Sequence, residues 1–226
     1  MTTQSRKVLA EFLGTLILLA AVVGSGVMGV ALAQGNDAVA LLANAGATAG
    51  VLYVLITILG PISGAHFNPA VTIVMRWQRQ MTTREALLYA LAQLAGAVLG
   101  VVLAHAMFDL PLVQPGTHAR AGAAQALSEG IATWGLLLTI LLGLRSRPSA
   151  IPALVASYIF AAYWFTASTS FANPAVTIAR SLTQTFAGIR PSDVGAFVGA
   201  QLAGAAAAYL IAWLLTPDEH AERESS

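Results

Sequence analysis

Cysteine is missing from all 226 residues, which excludes a disulfide framework, a thiolate metal site and a cysteine nucleophile. Charge is nearly as scarce: acidic and basic side chains make up 9% of the chain, against about 25% in an ordinary soluble domain. The formal net charge of +1 and the lack of a basic stripe interleaved with aromatics exclude a nucleic-acid footprint. Ser, His and Asp converge in no catalytic pattern, and neither a metal-ligand cluster nor a phosphate loop stands out, so no enzyme, metal site or cofactor is expected. What fills the chain is apolar, with 57% hydrophobic residues and a mean hydropathy of +0.74, a membrane composition.

A spanning helix needs about 20 mostly apolar residues. Six such runs are present, at roughly 8–33, 38–60, 86–108, 125–145, 150–167 and 193–215, separated by polar breaks. The first follows Arg6 and Lys7 and ends in Ala31-Leu32-Ala33, the outline of a signal peptide. Its length and the carboxylate of Glu11 argue for a retained span. A signal's apolar region runs only about 7–15 residues, and an intramembrane carboxylate faces a protein interior.

Two shorter helix-like segments, 69–78 and 174–183, each follow a Gly- or Ser-rich stretch and start within an Asn-Pro-Ala. Asn as N-cap and Pro at the first helical position are start signals. Too short to cross, the segments read as re-entrant half-helices. On that topology Arg6, Lys7, Arg76, Arg79, Arg84, Arg145, Arg147 and Arg223 share the side of both termini, while Arg120, Arg180 and Arg190 lie opposite. The positive-inside rule then places both termini in the cytoplasm.

The halves of the sequence repeat. Asn-Pro-Ala-Val-Thr-Ile occupies 68–73 and 173–178, and Ala-Gln-Leu-Ala-Gly-Ala occupies 92–97 and 200–205. Glu11-Phe12-Leu13-Gly14-Thr15 pairs more weakly with Glu129-Gly130-Ile131-Ala132-Thr133. Three spans separate the copies, so the second enters the membrane from the opposite face, an inverted-topology repeat. The expected organisation is a single all-α membrane domain over residues 1–226, with repeat 1 at about 8–108, repeat 2 at about 125–215, and a polar cytoplasmic tail at 216–226.

The run Ser63-Gly64-Ala65-His66-Phe67-Asn68-Pro69-Ala70-Val71-Thr72, with Asn173-Pro174-Ala175, Glu11, Glu129 and the repeat, resembles the aquaporin (major intrinsic protein) family over about residues 8–215. The resemblance implies an aquaporin-like fold, six transmembrane helices plus two re-entrant half-helices, assembled as a homotetramer in a cell-membrane bilayer. Each Asn-Pro-Ala sets a helix N-terminus near the midplane, where free amide N–H groups and the macrodipole are partially positive. By resemblance, Asn68 and Asn173 turn their side-chain amides into a pore and oppose cations and proton relay.

Non-helical backbone at membrane depth is tolerable where it lines a water-filled cavity. The carbonyls of Gly64, Ala65, His66, Ser168 and Thr169 are implied to form a ladder along one pore wall, opposite apolar side chains. The His66 ring is expected to hold its loop in place, and Glu11 and Glu129 to accept hydrogen bonds from loop backbone N–H groups. Gln93 and Gln201 read as packing or loop support, and Gly96, Gly100, Gly199 and Gly204 as sites of close helix approach.

The family's outer constriction normally holds an aromatic residue and an arginine, the arginine directly after the second Asn-Pro-Ala. Here that position is Val176, and spacing to the motifs carries the other three onto Thr48, Ala161 and Ser170. None is aromatic or charged. The resemblance therefore implies a wide pore for uncharged, hydroxyl-bearing solutes larger than water, such as glycerol and other polyols. A valine at the arginine position resembles a bacterial subgroup of aquaglyceroporins associated with arsenic resistance, which adds arsenite-like trihydroxy species and a bacterial inner membrane. A water-selective channel with an atypical filter stays open. So does, from another class, a secondary transporter, which also uses inverted repeats and broken helices. Arg180 lies four residues after Val176, about 6 Å farther out on nearly the same helix face. It is either a displaced vestibule charge or an arginine snorkelling from a helix end, where it satisfies carbonyls or pairs with another residue.

Overall fold

The computed structural model describes residues 2–216, and these contain helices and turns with no strand. Arg223 and the expected tail beyond Thr216 lie outside the described residues. The helices are α1 (Thr3–Leu32), α2 (Asp37–Ser63), α3 (Pro69–Trp77), α4 (Thr83–Met107), α5 (Ala123–Ser146), α6 (Ile151–Phe165), α7 (Pro174–Arg180) and α8 (Val194–Leu214). Six of them are long and apolar enough to span, α6 and α8 being extended by the 3-10 turns Pro148–Ala150 and Pro191–Asp193. Asn36 caps α2 by accepting from Ala38 N and Val39 N, and Thr82 with Glu85 forms a capping box at α4.

Packing repeats with the sequence. In the first half α1 lies on α4 and α2, and in the second α5 lies on α8 and α6, while α2 against α6 joins the halves. The half-helices α3 and α7 meet each other, and each also touches both α4 and α8. Small residues set the closest crossings. A Cβ on Gly96 would collide with the Phe12 carbonyl, one on Gly100 with that of Leu16, and one on Gly204 with that of Gly130. Gly199 departs from the expectation: among the described residues of this chain nothing lies within 4 Å of a Cβ placed on it, so it makes no close approach within the chain.

The second half-helix is shorter than the sequence suggests, ending at Arg180 where the expected end is 183. Beyond Arg180 the last turn tightens, with Ser181 N donating to Ile178 O and Leu182 N to Ala179 O. The carbonyls of Ser181 and Leu182 instead receive Gly116 N (2.8 Å) and Gln114 N (3.0 Å) from the loop between α4 and α5. The loop between α4 and α5 is thereby stitched to the segment after α7 over that helix's end.

Candidate pore and its constriction

The two loops entering the half-helices have the same backbone. Gly64, Ala65 and Phe67 have φ of 88°, 49° and 49°, and their repeat counterparts Thr169, Ser170 and Ala172 have 61°, 52° and 49°. Five of these six are not glycine, and a left-handed non-glycine residue costs about 1–3 kcal/mol. Such a trace persists only where its surroundings fix it. Here a buried carboxylate does so in each half. Glu11 accepts from Ser63 Oγ (2.7 Å), His66 N (3.0 Å), Phe67 N (2.7 Å) and Gln93 Nε2 (2.8 Å). Glu129 accepts from Phe171 N (2.9 Å), Ala172 N (2.9 Å) and Gln201 Nε2 (2.6 Å).

Both glutamines then extend the support. Gln93 Nε2 also donates to Thr72 Oγ1 (3.0 Å) and Gln201 Nε2 to Thr177 Oγ1 (2.8 Å), and each threonine hydroxyl donates to the carbonyl of its own loop's asparagine. The chain carboxylate–glutamine–threonine–asparagine is thus duplicated. The His66 ring stacks edge-on against Tyr89 with centroids 5.3 Å apart, and its Nδ1 lies 3.1 Å from Thr72 Oγ1, so the ring ties the loop to α3 and α4.

At the midplane the two asparagines cross-brace. Asn68 Oδ1 accepts from Ala70 N (2.9 Å), and Asn173 Oδ1 from Ala175 N (3.0 Å) and Val176 N (3.3 Å), so each oxygen caps its own half-helix. The amide nitrogens reach across: Asn68 Nδ2 donates to Ala172 O (2.7 Å) and Asn173 Nδ2 to Phe67 O (2.8 Å). An amide NH₂ carries two donors. One hydrogen of each is spent on the opposite loop, and because both residues border the cavity, the other is available to its contents.

The cavity, about 220 Å³, runs from Gln80, Leu144 and Ile151 at one end, past Asn68 and Asn173, to Thr48, Tyr163 and Arg180 at the other. Besides the half-helices, four long helices line it, each with residues four apart: Leu18 and Val22 of α1, Thr48, Leu52 and Ile56 of α2, Leu136, Ile140 and Leu144 of α5, and Ile151, Val155, Ile159 and Tyr163 of α6. Residues at that spacing share one helix face. Opposite this apolar wall stand Gly64, Ala65, His66 and Phe67 of the first loop and Ser170, Phe171 and Ala172 of the second.

The expected constriction residues Thr48, Ser170 and Val176 all border this cavity, but Ala161 does not. Ala161 is exposed on the outside of α6, because it sits two residues, or about 200° of helix rotation, from the Ile159 and Tyr163 stripe. The pore-facing residue of α6 at this depth is Tyr163, whose hydroxyl is 3.2 Å from Thr48 Oγ1. An aromatic side chain therefore stands where none was expected. The four-residue stripe on α6 was the signal that could have found it.

The second carbonyl ladder is shifted as well. Ser168 and Thr169 do not border the cavity. The Ser168 carbonyl instead accepts from Arg120 Nη1 (3.1 Å), whose Nε donates to Gly188 O (2.9 Å) and whose backbone N donates to Asp193 Oδ2 (2.8 Å). Arg120, 6% exposed, is a loop clamp that the sequence reading missed. Arg180 satisfies a carbonyl, as the helix-end reading expects, but does not snorkel: it is 2% exposed, borders the cavity, donates Nε to Ala187 O, and holds its guanidinium 3.3 Å from the centroid of the Phe171 ring. Arg120 lies 4.9 Å from the same centroid. On the loop nearby, partial burial and then the charges of Arg120 and Arg180 hold the His118 ring below the usual imidazole range.

Residues 1–166 match the family described as Major intrinsic protein. Aquaglyceroporin AqpS from Rhizobium meliloti (strain 1021) is 55% identical over 223 residues, covering 98% of this chain and 95% of that protein. Probable aquaporin PIP2-8 from Oryza sativa subsp. japonica is 38% identical over 126 residues, 55% of this chain and 43% of that protein. Among solved structures, the aquaglyceroporin from Plasmodium falciparum superposes with a TM-score of 0.72 at 18% identity, over 93% of this chain and 95% of that one.

Proposed function

The chain belongs to the major intrinsic protein family, and from that premise we propose that it is a passive membrane channel for small uncharged hydroxylated solutes. The class comprises glycerol and other polyols, arsenite-like trihydroxy species, and water. The observation that carries this reading is Val176 with Ser170. Where the family pattern has a bulky guanidinium, this cavity has an isopropyl group, and it is also lined by Ser170, a residue 3% exposed whose hydroxyl has no hydrogen-bond partner among the described residues. The near-full-length likeness to an aquaglyceroporin supports the same solute class.

A narrower, water-selective pore is favoured by one observation, the Tyr163 hydroxyl beside Thr48 across the outer cavity. Stopped-flow permeation in proteoliposomes separates the two readings. Wild type should pass water, glycerol and arsenous acid, whereas Val176→Arg should cut the two larger solutes by about tenfold or more while sparing water, a discrimination set by differential contacts. Equal fluxes in both proteins would remove Val176 from the constriction. Glycerol exclusion by wild type would favour the narrow pore. The working assembly is a homotetramer in a bacterial inner membrane with both termini cytoplasmic, an orientation supported by the basic residues of the loops, and passage involves no chemical step.

A further inference from the structure

Of the three arginines on the outer side, Arg190 is paired with Asp193 at 2.9 Å. Arg120 spends its guanidinium on the carbonyls of Gly188 and Ser168, with Thr169 Oγ1 at 3.5 Å, and it does not border the cavity. Arg180 differs from both. It borders the cavity, and among the described residues it has no carboxylate in ion-pair contact and a single hydrogen bond, from Nε to Ala187 O. A guanidinium carries five N–H donors in a rigid plane. One edge is anchored, one face lies on Phe171, and the remaining donors are left for what occupies the cavity.

Its support is rigid. Phe171 packs edge-on against Phe197 with centroids 5.2 Å apart, and its backbone N is held by Glu129. The same ring meets Arg120 on its way to the loop carbonyls. Arg180 and Val176 stand one helical turn apart on α7 and border the same cavity.

We propose that Arg180 is the charge filter of this channel, set one helical turn outward from Val176, so that size and charge are discriminated at two different levels of the pore. The level at Val176 is apolar and admits a broad neutral solute. The level at Arg180 rejects cations and offers N–H donors to solute oxygens before they reach the Asn-Pro-Ala pair. Separating the two explains how the pore loses the bulk of an arginine at its narrow level without losing its positive field. The proposal rests on the reading of the chain as a neutral-solute channel.

Urea and guanidinium make a matched test, because they share size and planarity and differ in charge. In proteoliposomes, wild type should pass urea and exclude guanidinium. Arg180→Met keeps a long unbranched side chain over Phe171, where a thioether packs well. It should raise the permeability of guanidinium relative to that of urea by about tenfold, the order a single nearby charge supplies in a partly screened site. Arg180→Lys should retain exclusion. The double variant Val176→Arg with Arg180→Met should restore guanidinium exclusion while lowering urea and glycerol flux, since charge and bulk then return to one level.

Unchanged guanidinium exclusion in a folded Arg180→Met channel would overturn the proposal, as would wild-type passage of guanidinium at the urea rate, which needs no variant to fold. A wild type that passes water alone would sink the neutral-solute reading, and a gain of guanidinium flux in Arg180→Met would still support the charge filter.

Discussion

The two loops that meet at the membrane midplane share a backbone and differ in what braces it. Ser63 and Ser168 are repeat counterparts, and each presents a carbonyl that needs a donor. In the first half the donor is the Tyr89 hydroxyl, 2.9 Å away, and in the second it is the Arg120 guanidinium, 3.1 Å away. Tyr89 has Phe197 as its counterpart on α8, which has no hydroxyl to offer. The edge-on aromatic contact survives in both halves, as His66 with Tyr89 and Phe171 with Phe197, at 5.3 and 5.2 Å. The duplicated skeleton therefore supplies shape, and the chemistry placed on it is neutral on one side of the midplane and cationic on the other. An inverted repeat alone would give a symmetric field. The arginines break that symmetry.

The largest effect should come from the part the halves share. Replacing Glu11 by Ala leaves the backbone N–H groups of His66 and Phe67, the Ser63 hydroxyl and one Gln93 interaction without their acceptor. Glu129→Ala does the same to Phe171, Ala172 and Gln201. At about 1–3 kcal/mol for each buried donor left unpaired, either change exceeds what a left-handed loop can absorb. Both variants should lose most folded protein in detergent, followed by thermal unfolding, and to similar extents. Survival of one alone would show that the halves do not carry equal weight.

The next comparison separates them. Arg120→Leu removes donors from Ser168 and Gly188 and leaves a hydrophobic stub against polar loops, at about 1–3 kcal/mol for each buried carbonyl left unpaired. Tyr89→Phe removes one hydroxyl from Ser63 and should cost about 1 kcal/mol. Unfolding midpoints measured in one detergent should rank the two in that order. Arg120→Lys should not rescue, because a point ammonium cannot reproduce the planar fork. Equal losses would mean that the second-half loop is not held by its arginine.

These contrasts also mark what a reader of the sequence could see. The six spans, the two half-helices and the loop-supporting role of Glu11 and Glu129 were legible, because long apolar runs, Asn-Pro helix starts and buried carboxylates each have a local physical signature. Ala161 was misplaced because counting back from Asn173 ignores the length of the intervening loop. The face of α6 is fixed by its own periodicity, and Ile151, Val155, Ile159 and Tyr163 recur every four residues. The shifted carbonyl ladder and the clamp of Arg120 were not legible, since Arg120 meets Ser168 and Gly188 across 48 and 68 residues of chain. No local pattern encodes such contacts. Arg180 was visible as a position on the right helix face, but its burial over Phe171 came only with the fold.

The smallest expected effect tests whether the halves are packed alike or only traced alike. In the first half Phe67, 1% exposed, fills the space beside Gly14, where an added Cβ would overlap its ring. In the second half the counterparts are Ala172 and Ala132, both fully buried. One half thus pairs large with small and the other small with small. Gly14→Ala should destabilise by about 1–3 kcal/mol, the usual range for overpacking a dense core. Phe67→Ala alone should leave a cavity. The double variant recreates the pairing of the second half and should recover part of the loss caused by either change, a coupling that a double-mutant cycle on thermal midpoints would measure. Strict additivity would mean that Phe67 and Gly14 do not set each other's size, and that the first loop is positioned by its polar contacts and not by this packing.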